Sequence, residues 1–427
     1  MHQVVIVGGG IGGIVTATHL ARRLRGTDQA SVILIDHNFA HTWKPMLHTF
    51  AAGTANYAVQ SISFAAHARC NGFVYRPGEL SGLDRASKTL KLGSITLPDG
   101  QSKLPGTTVS YDTLVLAIGS HSNDFNTPGV GEHCCFIDDV GQALAFNGAL
   151  RSQIIQAIDN DTEAKVAIVG GGATGVELAA ELTRGTEIFA TYVPAKLSPR
   201  LHVTLVESGP RLLGGFPERI SQAVENKLKQ LGVEVRTDTK VVAADERGLS
   251  LENGTRIDAG MRVWATGVKA PPVAAKLDGL EVNRRGQISV RPTLQTTSDD
   301  SIFALGDCAS LPGADGRPLP TTAQVARQQA VLLARSLADR LTRDRPLREF
   351  SFRDMGTLIA LGDYAAYGSL GDHGFLRGAL IKGWLAKVAH ASLYRLHQFD
   401  MGGFLKGGVG WLADDLTRVA RPKIVLH

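Results

Sequence analysis

The hydrophobic positions of the chain fall into short unbroken apolar runs separated by stretches with helical spacing. Val4–Val7 is the first run, and "SVILID", ending at Asp36, is the second. "TLVLAIGS" closes on Ala117 to Gly119, "AKVAIV" leads into Gly170, and "HVTLVE" ends at Glu207. "RVWATGV" reaches Gly267 through Ala265, and "SIFALGD" ends at Gly306 and Asp307. Continuous short runs of this kind predict strands, and helical patterns follow them, so the chain reads as α/β. The stretch "TTAQVARQQA", Thr321 to Ala330, predicts a helix start in which Thr321 and Gln324 fit a capping box. Gln324 and Gln328 stand four residues apart there, on one helical face. Near the end, Phe404, Leu405, Val409, Leu412, Leu416 and Val419 make a helical stripe, interrupted by glycines at 402, 403, 407, 408 and 410.

Composition places the chain among ordinary globular proteins: 427 residues, 44% hydrophobic and 20% charged, enough for two or three domains. A strand pattern starts almost at the first residue, with no basic and apolar leader ahead of it, which predicts no cleavable signal. No run of about 18 uncharged apolar residues occurs, which predicts no transmembrane helix. The cysteines, Cys70, Cys134, Cys135 and Cys308, show no C-x-x-C or metal spacing. Adjacent Cys134 and Cys135 could form only a strained vicinal bridge, and reduced thiols are predicted. Charge is uneven. From Gly374 onward there are eight Lys or Arg and three acids, so the whole excess of +5 lies there and the rest is balanced. A neutral body with a basic end predicts contact with a negative surface. Trp384 and Trp411 suit a lipid headgroup interface, so the stripe reads either as a helix lying on anionic lipid or as one packed on the core or a partner subunit. Nucleic acid is not expected, because no reader fold or aromatic platform is present.

The strongest chemical feature occurs twice. Val4–Val7 is followed by Gly8-x-Gly10-x-x-Gly13 and a helical pattern, and the next strand ends in Asp36, 23 residues after Gly13. "AKVAIV" is followed by Gly170-x-Gly172-x-x-Gly175, and the acid is Glu207, 32 residues after Gly175 because of an insertion. The first glycine allows a tight turn, the second lets the backbone approach a pyrophosphate, and the third lets helix pack on strand. The acid accepts from a ribose hydroxyl and repels a 2′-phosphate, which favours NADH; nearby Arg211 weakens that preference. Two cradles imply two dinucleotides, FAD held and NADH exchanging. Ala117, Gly119, Gly267 and Asp307 close further strands, where small residues leave room for ligands. Asp307 could accept from a flavin ribityl hydroxyl or simply form a turn.

On these motifs the chain resembles the two-dinucleotide flavoprotein reductases over roughly Met1 to Leu341. More specific segments are "HTWKPMLHTFAAG", "SHSNDFNTPGV", "TLQTTSDDSIFALGDCAS", "AQVARQ" and "RPKIVLH". With them the whole chain looks like the bacterial type II NADH:quinone oxidoreductases, single-subunit respiratory enzymes that do not pump protons. The resemblance implies an FAD domain interrupted by an NADH domain: residues 1–120 and 286–345 around 121–285, with 346–427 as a C-terminal membrane-anchoring or dimerisation region. It also implies that Ala323, Gln324, Ala326 and Gln328 line the place where quinone meets flavin, and that Lys44 and Pro45 lie beside the isoalloxazine. Glu177 is implied between nicotinamide and flavin, as the catalytic residue. On its own pattern Glu177 falls at a helix start beside a phosphate site, where it must point elsewhere or serve the helix dipole. Lys382 is the nearest counterpart to a flavin-side lysine of some relatives, without a clear alignment. The implied partners are ubiquinone or menaquinone, an anionic membrane surface and a second copy of the chain. The implied location is peripheral, on the cytoplasmic face of the cell membrane.

Four other readings share parts of this pattern. A disulfide reductase needs a cysteine pair after the first helix, which "HTWKPMLHTF" lacks. A sulfide:quinone oxidoreductase uses cysteines beside the flavin, where only Cys308 is near a motif. A reductase of a soluble electron carrier would keep the cofactors but have no need of the basic tail, and a flavin-bearing binding or signalling protein with slow NADH oxidation is an alternative of a different class.

Overall fold

The computed structural model describes residues 1–97, 99–193, 200–313, 316–370, 380–383 and 395–403, with positions 392 and 408. Five parallel strands form one sheet in the spatial order Ile302–Ala304, Thr113–Leu116, His2–Val7, Ala30–Asp36, Val74–Pro77. Val4, Val5 and Ile6 are fully buried, which explains why the run is continuous rather than alternating: both faces are covered. Each such side chain contributes on the order of 2 kcal/mol by burial. Helix Ile11–Leu24 covers one face and packs against helix Ala323–Arg343, so the last segment of the sheet is brought home by the chain after residue 300.

A second parallel sheet lies between these parts in the sequence. Its order is Glu234–Arg236, Leu201–Val206, Ala164–Val169, Met261–Trp264. The plan repeats that of the first sheet: the glycine-motif strand is flanked by its second and fourth strands. An antiparallel three-stranded meander precedes the fourth strand in both copies, 79–110 in the first and 241–258 in the second. The chain is therefore an α/β protein with two Rossmann-like domains, one inserted in the other. The meanders were not read from the sequence.

Two details differ from expectation. The cap of helix Ala323–Arg343 is Thr322, whose hydroxyl accepts from the Val325 N–H at 3.3 Å, and not Thr321 paired with Gln324. A hydroxyl caps best from the residue just outside the first helical turn, and that residue is one later than the motif suggests. Beyond residue 350, Gly356–Leu361, Ala365–Leu370 and Leu380–Lys382 form an antiparallel sheet. Its buried Ile359 and Leu361 join the core of the second domain with Val176, Ala179 and Ala180. Residues 395–403 are helical, and buried Met401 belongs to the core of the first domain. The stripe residues Phe404, Leu405, Val409, Leu412, Leu416 and Val419, with Trp384 and Trp411, lie outside the described residues. Among the described residues no helix is long and apolar enough to cross a membrane.

Candidate functional site

Both glycine motifs do what a phosphate cradle requires. A methyl group on Gly8 would lie 2.2 Å from the Ala117 carbonyl oxygen, and one on Gly170 2.5 Å from that of Ala265. On Gly13 it would meet the Gly8 oxygen at 1.8 Å, and on Gly175 the Gly170 oxygen at 2.0 Å. Gly10 and Gly172 have nothing within 4 Å of that position, so the backbone is bare where a ligand approaches. Helices start directly after, at Ile11 and Ala173, and offer unpaired N–H groups. The acids sit at corresponding places in the two copies. Asp36 accepts from the Gly9 and Asn38 N–H groups, and Glu207 from those of Gly171 and Gly209, both at 2.7 Å. The two carboxylates thus tie each cradle to the end of the neighbouring strand. Arg211 spends its guanidinium on the Gly214 and Phe216 carbonyls and on Ser221, so its charge does not sit on Glu207.

The two cradles open into one cavity of about 660 Å³. Gly10, Lys44, Pro45, Ala117, Gly119, Asp307 and Ala323 line it from the first domain, and Gly172, Glu177 and Gly267 from the second. It lies at the carboxyl ends of both parallel sheets, where ligands of open α/β sheets bind. Lys44 donates to the Ser120 carbonyl at 2.7 Å, and the Ser120 hydroxyl donates to Asp307 at 2.7 Å, so these three form one wall. The bare Gly10 backbone and the polar wall at Asp307 fit a dinucleotide such as FAD.

Glu177 is the fifth residue of helix Ala173–Ala190, past the first turn in which the sequence placed it. One turn farther along, its carboxylate clears the phosphate end. Its Oε1 accepts from the Ala360 N–H of the C-terminal sheet at 3.1 Å, and its Oε2 lies 3.7 Å from His48 Nδ1. Burial pushes its pKa up to about 8, opposed by the Ala360 N–H and helped by the neighbouring Glu181 charge. A carboxyl poised there can hold or release a proton near neutral pH.

Gln324 and Gln328 stand elsewhere than expected. The Gln324 amide accepts from the Met355 N–H at 2.9 Å and donates to the Gly356 carbonyl at 3.1 Å. The Gln328 amide pairs with both main-chain groups of Arg353. Neither residue lines the cavity; Ala323 and Ala326, on the adjoining face, do. The amides satisfy an irregular segment that would otherwise leave main-chain groups unpaired. The third glutamine, Gln329, was passed over and is closer to the chemistry. Buried, it accepts from the Gly306 N–H at 2.8 Å and so fixes the turn that carries Asp307. Gln287 donates to the Asp307 carbonyl at 2.9 Å. His48, also missed, lies inside "HTWKPMLHTF" and lines the cavity beside Glu177. All four cysteines are free, and burial pushes the Cys308 thiol up to about 12 and that of Cys134 up to about 11, so neither supplies a thiolate.

Comparison with known proteins agrees with this geometry. The pyridine nucleotide-disulphide oxidoreductase family matches residues 2–330. A type II NADH:quinone oxidoreductase of Haemophilus influenzae is 40% identical over 100% of both chains. One from Staphylococcus aureus is 28% identical over 87% of this chain and 90% of its own. Among solved structures, an NDH2 from Plasmodium falciparum in complex with NADH covers 99% of this chain and 100% of its own, with a TM-score of 0.83 at 18% identity. A sulfide:quinone oxidoreductase from Aquifex aeolicus shares the fold at a TM-score of 0.73 and 18% identity, covering 98% of this chain and 95% of its own. Two cradles on one cavity, no thiolate beside it, and full-length similarity at this identity lead to one conclusion: the chain belongs to the type II NADH:quinone oxidoreductases.

Proposed function

We propose that this chain oxidises NADH and reduces a membrane quinone within the single cavity, with Glu177 as the residue that holds the proton the reaction needs. The observation that carries this reading is the opening of both cradles into one space walled by Glu177. The net reaction takes NADH, one proton and a quinone to NAD⁺ and a quinol, so a proton must enter that space. FAD, when bound, supplies the two-electron carrier chemistry that links donor and acceptor. Gly10 and the N–H groups at Ile11 hold one pyrophosphate; Gly172 and those at Ala173 hold the other. Asp36 and Glu207 stand at the ribose ends. Lys44, Pro45, Ala117, Gly119, Gly267 and Asp307 shape the walls. The start of helix Ala323–Arg343 faces the cavity with unpaired N–H groups, which favours negative charge there. Ala323 and Ala326 leave a smooth surface on that side for a flat quinone ring, while Gln324 and Gln328 hold the wall behind it.

The quinone is ubiquinone or menaquinone in this reading, and its solubility in lipid requires a membrane contact. The basic C-terminal segment provides it, at the cytoplasmic face, and a second copy of the chain is the expected partner. Purified FAD-loaded protein is therefore expected to reduce a short-chain quinone rapidly with NADH. Turnover confined to ferricyanide or a protein carrier, with none on quinone, would overturn the reading.

A further inference from the structure

At the cavity wall two buried imidazoles meet, His41 lining the cavity and His397 behind it, and the mechanism above uses neither. His41 Nδ1 lies 2.7 Å from the Gly9 carbonyl oxygen. A carbonyl only accepts, so Nδ1 carries the proton, and the neutral ring keeps a lone pair on Nε2. That nitrogen is 2.9 Å from Nε2 of His397, which must donate. His397 is 1% exposed, and its Nδ1 has no hydrogen-bond partner among the described residues, so its polar contact here is the one with His41. Its ring also lies against Trp43, with centroids 4.4 Å apart, next to the Lys44–Pro45 turn. The helical segment 395–403 that carries His397 is tightly seated. Arg22 donates to the Asp400 and Met401 carbonyls at 3.0 and 2.7 Å, and Arg327 grips the Asp400 carboxylate from two nitrogens.

The Gly9 peptide is a sensitive place. In a planar trans peptide the Gly9 carbonyl and the Gly10 N–H point in opposite directions. Holding the carbonyl back toward His41 therefore turns the Gly10 N–H toward the cavity that Gly10 lines. The second cradle has the same need and meets it differently: the corresponding Gly171 carbonyl accepts from the Leu213 N–H at 2.8 Å. One cradle is fixed by its own domain's backbone, the other by a side-chain relay that ends in the C-terminal segment.

We propose that His397 is a positioning residue for FAD: through His41 it fixes the Gly9 peptide, and through Trp43 it steadies the Lys44–Pro45 turn, so flavin retention depends on the seating of segment 395–403. The test is the dissociation constant of FAD from the holoenzyme, read by flavin fluorescence. His397→Asn, too short to reach His41, is expected to weaken FAD binding on the order of tenfold. His397→Gln, whose amide nitrogen reaches about where the imidazole Nε2 lies, is expected to stay within about threefold. KM for NADH is expected to be unchanged in both, because Leu213 holds the second cradle. Unaltered FAD affinity in the asparagine variant, or equal losses in the two variants, overturns the proposal. If the asparagine variant does not fold, Asp400→Asn decides. It loosens the Arg327 clamp and leaves both imidazoles in place, so FAD affinity should fall severalfold, and no fall overturns the proposal.

Discussion

Burial raises the Glu177 pKa to about 8, because the Ala360 N–H compensates the buried carboxylate only in part. The consequence for stability has a definite sign. Its folded-state pKa, about 8, lies above the ordinary glutamate value of 4.5. The carboxyl therefore adds stability fully below about pH 4.5, and that contribution is lost as pH rises through about 8, at up to ~1.4 kcal/mol per unit. Glu177→Gln removes the effect. Thermal unfolding of the two proteins should show the variant gaining on the parent from pH 5 to pH 8; a constant difference would mean the carboxyl is not held neutral. Individual residues were unevenly legible in the sequence. The glycines and Asp36, Glu207 and Asp307 stand at fixed offsets from strands, and backbone geometry gives those offsets meaning. Gln329, Gln287 and His48 act through contacts between distant segments, for which no local spacing exists. Gln324 and Gln328 show the reverse: a regular spacing whose amides are taken by residues 353–356.

At the scale of elements, each cradle depends on a glycine at which helix and strand touch. An added methyl on Gly175 meets main chain at 2.0 Å, and main chain yields far less readily than a flexible side chain. Gly175→Ala should therefore raise KM for NADH at least tenfold, with FAD content near that of the parent, because the first cradle is untouched. Gly13→Ala, with its contact at 1.8 Å, should lose FAD instead. Purifying each variant and measuring bound flavin and NADH KM separates them; loss of FAD in both would show that the cradles fold as one unit. Seven of the nine parallel strands could be read from sequence because they lie in apolar runs that lead to Gly or an acid; the edge strands Val74–Pro77 and Glu234–Arg236 carry charged residues and gave no such run. The sheet after residue 355 escaped that reading because "GTLIALGDYAAYGSL" mixes small and apolar residues with no clean alternation. Its pairing across the sheet and its packing on helices Ala173–Ala190 and Glu218–Gln230 make strands of it.

For the whole molecule, the doubled plan brings two cradles onto one cavity, and the charge excess of +5 sits in the last part of the chain. Removing residues 404–427 keeps His397, Asp400 and Met401 in the chain. The shortened protein should keep FAD and reduce a short-chain quinone, yet no longer float with anionic vesicles. Continued flotation would place the membrane contact elsewhere. The central claim is that NADH and quinone react through this cavity with Glu177 holding the proton, and one rapid-mixing experiment tests it most directly. Glu177→Gln, loaded with FAD, is mixed with NADH and then with a short-chain quinone, and the flavin absorbance is followed. The account predicts loss of colour with NADH at near the parent rate, then recovery with quinone slowed ~100-fold, the scale of general acid–base catalysis. Recovery as fast as in the parent would contradict it.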